Sequence, residues 1–401
     1  MRDRVMLVTR SASAGGLEDR TALLAKNILE QNRSVIWLVL SGDDINQIYR
    51  RIPGVRFVRL NDTVSQSILS FTLLPKLAAI IWRLKPRIVQ LCGIRPMFLM
   101  SLFPFPLKTT RISSVHGSYK LMALNGKGEI IKWKLWISRV FHCFGCIQSK
   151  KVITVSNSLL HEMKQICPVL SDKKIFTIHN GVDLPQRPDQ VSTMDDNVAV
   201  GNSNCRTEEQ SLQRMLGVRD GTALVISAGR LSHEKNYECM IKAAKIVLSK
   251  LPEIVFAIFG DGYKRRELQS LIDSEGIGSS FILHGFIKDI AALFYQSSIF
   301  VLTSFSEGFS NVLLEAGASQ VPCVVSAVGG NSEIIQDRKT GLLVEDPGNF
   351  NEFAEKIMLL LQDQKLRKEM GKNAMDFVVN EFSQKKQTQN YLRLYNELLV
   401  R

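Results

Sequence analysis

Two carboxylates, Glu307 and Glu315, stand eight residues apart in the stretch S306-E-G-F-S-N-V-L-L-E-A-G-A-S319. On an unbroken helix, eight residues leave two side chains about 80° apart around the axis, so helical stacking would not bring both to one ligand. Gly308 lies between an apolar run that ends at Thr303 and a helix-like run that begins at Asn311. The pattern therefore predicts Glu307 on a strand-end loop and Glu315 one turn into a helix capped by Ser310 or Asn311.

This arrangement would place an anion site between two carboxylates. The backbone amides from about Phe309 to Leu313, including that of Val312, would lie at the N-terminus of the helix. A helix N-terminus suits phosphate. A carboxylate can accept hydrogen bonds from two vicinal hydroxyls, as found on a hexose or a ribose. The pattern matches a nucleotide sugar. The alternative is a structural helix with one Glu near its cap and one on its surface.

Two cations lie five residues apart in G229-R-L-S-H-E-K-N236, after the first predicted strand of the second half. Arg230 and Lys235 could neutralise a pyrophosphate leaving group, a task otherwise given to a metal ion. Without the carboxylates, they would be interpreted as solvated surface charges. G260-D-G262 follows the next predicted strand and would allow close backbone approach.

The first half offers fewer reactive groups. Gly15 and Gly16 follow the first predicted strand, but the loop S11-A-S-A-G-G16 lacks the G-x-G-x-x-G pattern, which argues against a nicotinamide or flavin enzyme. His116, in S113-S-V-H-G117, ends a predicted strand and precedes a glycine, so it is expected to face a crevice. A structural histidine is the alternative.

Short apolar strand patterns alternate with helical patterns in both halves, which predicts α/β domains with parallel sheets covered on both faces. With 401 residues, the chain is expected to form two such doubly wound, Rossmann-like domains facing a central cleft. We place the first at residues 1–184, with 385–401 as a closing helix packed back on it, and the second at 185–384. The polar stretch 185–204 is predicted to be a linker or loop.

The net charge of +13 is unevenly distributed. Residues 1–190 carry 28 Lys and Arg against 12 Asp and Glu, a balance of +16, whereas the remainder carries 23 against 26, a balance of −3. The basic half is expected to attract an anionic partner such as nucleic acid, phospholipid head groups or a phosphorylated substrate. A scattered basic surface that only aids solubility is the alternative.

The seven cysteines are dispersed, and the N-terminal sequence MRDRVMLVTR has no signal-peptide pattern, so we expect reduced thiols in the cytoplasm. The single C-x-x-C in H142-C-F-G-C146 lacks the second ligand pair of a zinc site and is interpreted as packing. No apolar run reaches the roughly 18 residues of a membrane span. The apolar, basic segments 68–82 and 97–107 could instead touch a membrane surface, or form a buried helix and a loop.

Taken together, the motifs resemble those of the family 4 retaining glycosyltransferases of the GT-B type, glycosyl transferases group 1. The following pieces appear in the family's order: G15-G-L-E18, H116-G, V155-S156, N180-G-V-D183, G229-R-L with E234-K235, G260-D-G262, E307-G-F with E315-A, and G329-G with E333. The resemblance covers most of the chain. It implies an enzyme of the bacterial cell-surface polysaccharide or lipopolysaccharide type, cytoplasmic and peripheral on the inner face of the membrane.

The resemblance also implies a role for each candidate residue. Arg230 and Lys235 would bind the donor diphosphate, and Glu307 with the backbone of Gly308, Phe309 and Ser310 would hold sugar hydroxyls. The backbone of Asn311, Val312 and Leu313 would hold phosphate, and Glu315 the ribose. His116 would contact the transferred sugar near its C6 hydroxyl, while Gly15 and Gly16 would lie against phosphate and acceptor.

The implied reaction moves a hexose or N-acetylhexosamine from a nucleotide sugar, with UDP favoured over GDP-mannose, to a lipid-linked or lipopolysaccharide-type glycan. The leaving phosphate would deprotonate the acceptor. No D-x-D motif is present, so we expect neither metal nor other cofactor. A soluble small-molecule acceptor and a sugar-nucleotide epimerase of GT-B architecture remain alternatives. Charge alone suggests a nucleic-acid-binding protein, but no recognised motif supports one and none is predicted as a partner.

Overall fold

The computed structural model describes residues 4–10, 16–40, 52–60, 73–101, 109–119, 131–184, 211–287 and 290–399. The chain divides into two compact units, the first formed by Met1–Asn180 with Gln384–Arg401 and the second by Gly181–Ser383. The predicted linker at residues 185–204 lies outside the described residues.

The first unit is built on one parallel sheet. Its strands are β1 (Arg4–Thr9), β2 (Ser34–Val39), β3 (Arg56–Arg59), β4 (Ile88–Cys92), β5 (Thr110–Val115), β6 (Lys151–Thr154) and β7 (Ile175–Thr177). Their order in the sheet is β3-β2-β1-β4-β5-β6-β7. Every pairing is parallel, and β1 pairs with both β2 and β4. The order reverses at β1, which is the doubly wound arrangement predicted from the sequence.

Helices connect these strands and cover the sheet. They are α1 (Gly16–Glu30), α2 (Leu73–Leu84), α3 (Ile94–Ser101), α4 (Lys132–Gln148) and α5 (Asn157–Ile166), joined by a last helix α13 (Gln384–Leu399) from the end of the chain. Alternate residues of β1 enter different cores: Met6 and Val8 pack in one cluster, and Val5 and Leu7 in another. This alternation explains why the strand is apolar at nearly every position.

The last helix packs within the first unit. Tyr391, Leu394, Tyr395 and Leu398 of α13 join the core cluster that contains Val5 and Leu7 of β1. The Tyr395 hydroxyl also donates to Oε1 of Gln90 on β4. Helix α13 thus belongs to a core cluster that is otherwise built from the first 180 residues.

The second unit repeats the plan with strands β8 (Leu224–Ala228), β9 (Val255–Phe259), β10 (Phe281–Gly285), β11 (Ile299–Leu302), β12 (Cys323–Ser326) and β13 (Gly341–Val344). Their order is β10-β9-β8-β11-β12-β13, again with parallel pairings. The described helices are α6 (Leu212–Met215), α7 (Tyr237–Lys250), α8 (Arg265–Ser274), α9 (Asn311–Ala318), α10 (Asn331–Ile334), α11 (Phe350–Gln362) and α12 (Gln364–Glu381), with 3₁₀ turns at His233–Lys235 and Ile290–Gln296.

Two sequence-based expectations about cysteines and membranes meet the structure here. The prediction of reduced thiols is wrong for Cys143 and Cys167, which form a disulfide between α4 and the residue after α5. Their Cα atoms lie 5.3 Å apart, within the range that a disulfide spans, and packing of the two helices creates this proximity across 24 residues of sequence. Over the described part of the chain, no helix has the length and apolar character needed to cross a membrane.

Candidate active site

The second unit reverses its strand order between β8 and β11, which are hydrogen-bonded neighbours. In open parallel sheets, ligands bind beyond the carboxyl ends of the strands at such a reversal. The loops that leave these two ends carry the predicted site residues. Residues 229–236 follow β8, and residues 303–310 follow β11.

Arg230 stands on a loop whose backbone is fixed on both sides. The amide of Gly229 donates to the carbonyl of Phe259 at 2.9 Å, and the amide of Leu231 donates to the carbonyl of Asp261 at 3.0 Å. Leu231 is fully buried, whereas the Arg230 side chain is exposed. An exposed cation therefore extends from a backbone that hydrogen bonds hold on both sides.

Lys235 and Glu307 meet directly, although 72 residues separate them in sequence. The Lys235 ammonium donates to Oε1 of Glu307 at 2.6 Å, and the two side chains are only 17% and 11% exposed. A second donor, the hydroxyl of Ser304, reaches the same oxygen at 2.7 Å. The charges of the two predicted catalytic residues are thus neutralised by each other in a partly desolvated position.

The two loops are also joined through backbone groups. The single O–H of Thr303, directly after β11, is shared between the carbonyls of Lys235 at 3.1 Å and Asn236 at 2.8 Å. The amide of Phe305 donates to the carbonyl of Glu234 at 2.9 Å. These bonds fix the β8 and β11 loops to each other, so the Lys235–Glu307 pair rests on a rigid frame.

Glycines allow the neighbouring loops to pack closely on this frame. A Cβ atom at Gly329, in the loop after β12, would lie 1.8 Å from the carbonyl oxygen of Glu307, and its φ of 54° also favours glycine. A Cβ atom at Gly260, after β9, would lie 1.9 Å from the carbonyl oxygen of Gly229. The G-D-G and G-G patterns therefore serve backbone packing around the site.

Helix α9 begins at Asn311, where the sequence predicted a helix start. Ser310 occupies the N-cap position without making a side-chain cap hydrogen bond. Phe309 is buried against the ring of Phe382 at a centroid distance of 5.3 Å, and Leu313 is fully buried. The side chains of Phe309 and Leu313 are thus buried, as is Gly308, whereas Val312 is partly exposed.

Glu315 is the fifth residue of α9 and is partly exposed. Because the helix begins only at Asn311, Glu307 lies in the loop before it, and a change of secondary structure separates the two carboxylates. The structure therefore places the two carboxylates on different elements, as the sequence predicted.

The remaining predicted residues belong to the first unit. His116 follows β5, and its Nε2 lies 2.8 Å from the hydroxyl oxygen of Ser114. Burial lowers the pKa of His116 from its ordinary 6.5 to about 4, so the ring is neutral near neutral pH. Gly16 is the first residue of α1, whereas Gly15 lies outside the described residues.

The loop that carries His116 is held by a carboxylate that the sequence did not single out. Glu162 on α5 accepts hydrogen bonds from the hydroxyl of Ser118 at 2.6 Å and from the amide of Tyr119 at 3.2 Å. Among the described residues, no atom lies within 4 Å of the position that a Cβ atom would occupy at Gly117, the residue after His116. The two hydrogen bonds to Glu162 thus anchor the segment that follows the imidazole to α5.

Sequence reasoning missed the residues that support the site. Ser304 orients Glu307, and Thr303 joins the two loops. Their position directly after the last apolar residue of β11 was the available signal, because polar groups at that end of a strand face the ligand side. Over the described part of the chain, no group of three or more His, Cys, Asp or Glu side chains could hold a metal ion.

Comparison with known families decides the affiliation. Residues 14–186 match the model described as Glycosyltransferase Family 4, and residues 208–377 match the model described as Glycosyl transferases group 1. The chain belongs to glycosyltransferase family 4. Both units contribute to this match, and the predicted resemblance is confirmed.

Curated family members align with the chain at moderate identity. It is 29% identical over 257 residues to N-acetyl-alpha-D-glucosaminyl L-malate synthase of Bacillus anthracis, covering 64% of this chain and 62% of the relative. It is 28% identical over 250 residues to UDP-Gal:alpha-D-GlcNAc-diphosphoundecaprenol alpha-1,3-galactosyltransferase of Escherichia coli, covering 60% of each. The matched region thus spans about six tenths of each relative's length.

A solved structure resembles the whole chain. Anabaena HepE in complex with UDP and glucose superposes with a TM-score of 0.77 at 18% identity, covering 99% of this chain and 100% of that one. The fold class predicted from the sequence, two doubly wound parallel-sheet domains of the GT-B type, is confirmed.

Proposed function

We propose that this chain is a retaining glycosyltransferase that moves a hexose or N-acetylhexosamine from a nucleotide sugar to a glycan acceptor. The observation that carries the proposal is the Lys235–Glu307 pair, 2.6 Å apart, where the strand order of the second unit reverses. A cation next to a hydroxyl-binding carboxylate, with the exposed Arg230 and a helix N-terminus on the same loops, fits a sugar diphosphate.

The contacts of the pair suggest a division of roles. An ammonium group has three donors, so Lys235 can retain Glu307 and still donate to a phosphate oxygen. Oε1 of Glu307 already accepts from Lys235 and Ser304, which leaves Oε2 for sugar hydroxyls. Arg230 would supply the second charge on the diphosphate. The backbone of residues 308–313 would contact sugar and phosphate, and Glu315 the ribose.

In the proposed reaction, the bond between the sugar C1 and the diphosphate oxygen breaks as the acceptor oxygen attacks from the same face. The acceptor proton passes to an oxygen of the departing diphosphate. Arg230 and Lys235 stabilise the negative charge that develops on that group. The two cations would do what a metal ion does in other transferases, so the proposal requires no metal. No protein carboxylate is needed as a base.

His116 enters this proposal as a neutral hydrogen-bonding group near the C6 hydroxyl of the transferred sugar. Burial holds its pKa at about 4, which removes the imidazolium form near neutral pH. Gly15 and Gly16 would lie against phosphate and acceptor, as the family resemblance implies.

UDP is the proposed nucleotide of the donor, with GDP-mannose second. The name of the Escherichia coli relative includes UDP-Gal, and the Anabaena structure contains UDP and glucose. Both support a uridine donor for this chain.

The proposed acceptor is lipid-linked or of lipopolysaccharide type, as used to build cell-surface polysaccharides. The Escherichia coli relative is named for a diphosphoundecaprenol acceptor, and the basic balance of +16 in residues 1–190 suits a diphosphate. The Bacillus anthracis relative is instead named for L-malate, which supports a soluble small-molecule acceptor as the second candidate. With a lipid-linked acceptor, the protein would work peripherally on the inner face of the cytoplasmic membrane.

The test combines labelled UDP-sugars with a polyprenyl-diphosphate-linked glycan, with L-malate, or with no acceptor, each in the presence of a chelator. The proposal predicts transfer of label to the lipid-linked glycan with the anomeric configuration of the donor retained. Label on L-malate would select the soluble acceptor. Formation of an epimer without any acceptor would replace the transferase by the epimerase.

A further inference from the structure

Helix α4 (Lys132–Gln148) presents large apolar side chains to solvent along its whole length. Five of them are exposed: Trp133 by 62%, Trp136 by 66%, Val140 by 40%, Phe144 by 43% and Ile147 by 44%. Their spacing of three, four, four and three residues places them within an arc of about 80° on one side of the helix. We call these five residues the outer stripe.

The opposite side of the same helix is already occupied by the protein core. Its buried residues are Ser138, His142, Gly145 and Cys146. Met97 on α3 contacts the helix so closely that a Cβ atom at Gly145 would lie 3.3 Å from its backbone oxygen. The outer stripe is therefore not the packing face of α4. It is a second apolar face about 21 Å long, where a soluble helix would normally carry charges.

The charged residues of α4 itself all have one sign. The helix contains Lys132, Lys134 and Arg139 and no acidic residue. Lys132 and Arg139 are exposed, and the Nζ of Lys134 lies 5.7 Å from the ring centre of Trp133. At the other end of the helix, Lys150 is exposed and Lys174 donates to the carbonyl of Ile147. The stripe is thus bordered by cations at both ends.

We infer that the outer stripe of α4 lies in the interface of an anionic lipid membrane. A helix with aromatic and aliphatic side chains on one face and Lys and Arg beside them binds parallel to such a surface, where indole rings sit at head-group level. The cations add attraction to anionic head groups. The outer stripe is thus the part of the chain that would contact the membrane. Its link to a lipid-linked acceptor rests on the proposed function.

Charge favours a membrane over a second copy of the chain. The spacing of the outer stripe would also suit a helix pair, but pairing two copies would bring the Lys and Arg residues of both helices together with no carboxylate on either helix to offset them. An anionic bilayer satisfies both the apolar stripe and its basic borders.

Co-sedimentation with vesicles tests this inference on the full chain. The probes are vesicles of equal parts phosphatidylglycerol and phosphatidylcholine, with phosphatidylcholine alone as the neutral comparison. We expect binding to the anionic vesicles and a loss of about tenfold or more in the Trp133→Ser/Trp136→Ser variant. Lys132→Glu/Arg139→Glu should weaken binding to the anionic vesicles most.

A matched pair of single substitutions distinguishes vesicle binding through the outer stripe from binding through any exposed apolar side chain. Val140→Asp alters the outer stripe. Val169→Asp makes the same substitution at a valine outside α4 that is 72% exposed. Only Val140→Asp should reduce vesicle binding. Equal binding by wild type and all four variants would overturn the inference. So would a dimer in light scattering that becomes monomeric on Trp133→Ser/Trp136→Ser without vesicle binding by either.

The same variants test the membrane surface separately from the proposed function. Stabilisation of the second unit by a UDP-sugar does not involve α4, so it should be unchanged in Trp133→Ser/Trp136→Ser and Val140→Asp. Loss of vesicle binding with intact donor binding supports the surface. Absence of donor binding in the wild type, with vesicle binding intact, would refute the transferase but leave the membrane surface standing.

Discussion

The Lys235 ammonium and the Glu307 carboxylate form an ion pair of 2.6 Å across the point where the strand order of the second unit reverses. Ser304 donates to the same carboxylate oxygen, Oε1, and no described residue donates to Oε2. The ion pair therefore holds both side chains in place. A ligand could still accept a hydrogen bond from the Lys235 ammonium and donate one to Oε2 of Glu307.

Glu307→Gln should affect binding of the nucleotide part of the donor differently from binding of its sugar. The amide removes one negative charge beside Lys235, so affinity for free UDP is expected to stay equal or rise. Affinity for the UDP-sugar should fall by about tenfold, because a neutral amide accepts weaker hydrogen bonds from sugar hydroxyls than a carboxylate does. Calorimetric titration with UDP and with UDP-sugar measures both. Equal losses for the two ligands would contradict the assignment of Glu307 to the sugar.

Gly329→Ala should displace the backbone of Glu307. A Cβ atom at Gly329 would lie 1.8 Å from the Glu307 carbonyl oxygen, so the loop must move. Gly276→Ala is the matched control, since Gly276 has a φ of 70° and no described atom lies within 4 Å of where its Cβ would stand. Both changes carry the strain of alanine at positive φ, about 1 kcal/mol.

Only Gly329→Ala should lower transfer, and it should unfold at the lower temperature of the two variants. Thermal unfolding and initial rates of transfer measure the difference. Indistinguishable rates for Gly329→Ala and Gly276→Ala would mean that the close approach of Gly329 does not support Glu307.

Acid should destabilise the first unit through two histidines. Burial lowers the pKa values of His116 and His142 from 6.5 to about 4. Between pH 4 and 6.5 the two histidines bind more protons in the unfolded chain than in the folded one. Their protonation therefore leaves the free energy of unfolding unchanged above about pH 6.5 and lowers it as the pH falls towards 4. Thermal unfolding across this range should show a weaker pH dependence in His142→Leu. A steeper fall in the variant than in the wild type would contradict the burial of a neutral imidazole.

The disulfide between Cys143 and Cys167 predicts a defined alkylation pattern. Protein unfolded without reductant should show both cysteines protected, while Cys146, a free buried thiol on the same helix, is modified. Loop-closure entropy for 24 residues predicts that Cys143→Ser destabilises the first unit by about 3.5 kcal/mol. Peptide mass spectrometry reads the pattern. Modification of Cys143 and Cys167 before reduction would show that the sequence-based expectation of thiols was right.

Local sequence patterns predicted the elements of the site well. The start of α9 at Asn311 and the position of Glu307 on the loop before it follow from Gly308, the apolar run before Thr303 and the helix-forming run after Ser310. The strands were predictable for the same reason, because parallel strands buried on both faces are apolar at nearly every position.

Contacts between distant segments were not predictable in the same way. The Lys235–Glu307 pair depends on β8 and β11 becoming neighbours, which the sheet order decides and no local pattern encodes. The Cys143–Cys167 disulfide depends likewise on helix packing. The outer stripe of α4 was missed because its apolar spacing resembles that of a core-facing helix, and only the burial of Ser138 and His142 reveals which face is exposed.

The most direct test of the central claim is thermal unfolding of the chain with a panel of nucleotide sugars, since a ligand that binds only the folded state raises the unfolding temperature. We expect a UDP-sugar to stabilise the wild type and the control Lys245→Met, which alters an exposed ion pair with Glu275 in the same unit. Stabilisation should disappear in Lys235→Met. A wild type that no nucleotide sugar stabilises, or a Lys235→Met variant that is stabilised as strongly as the wild type, would contradict a donor site at Lys235 and Glu307.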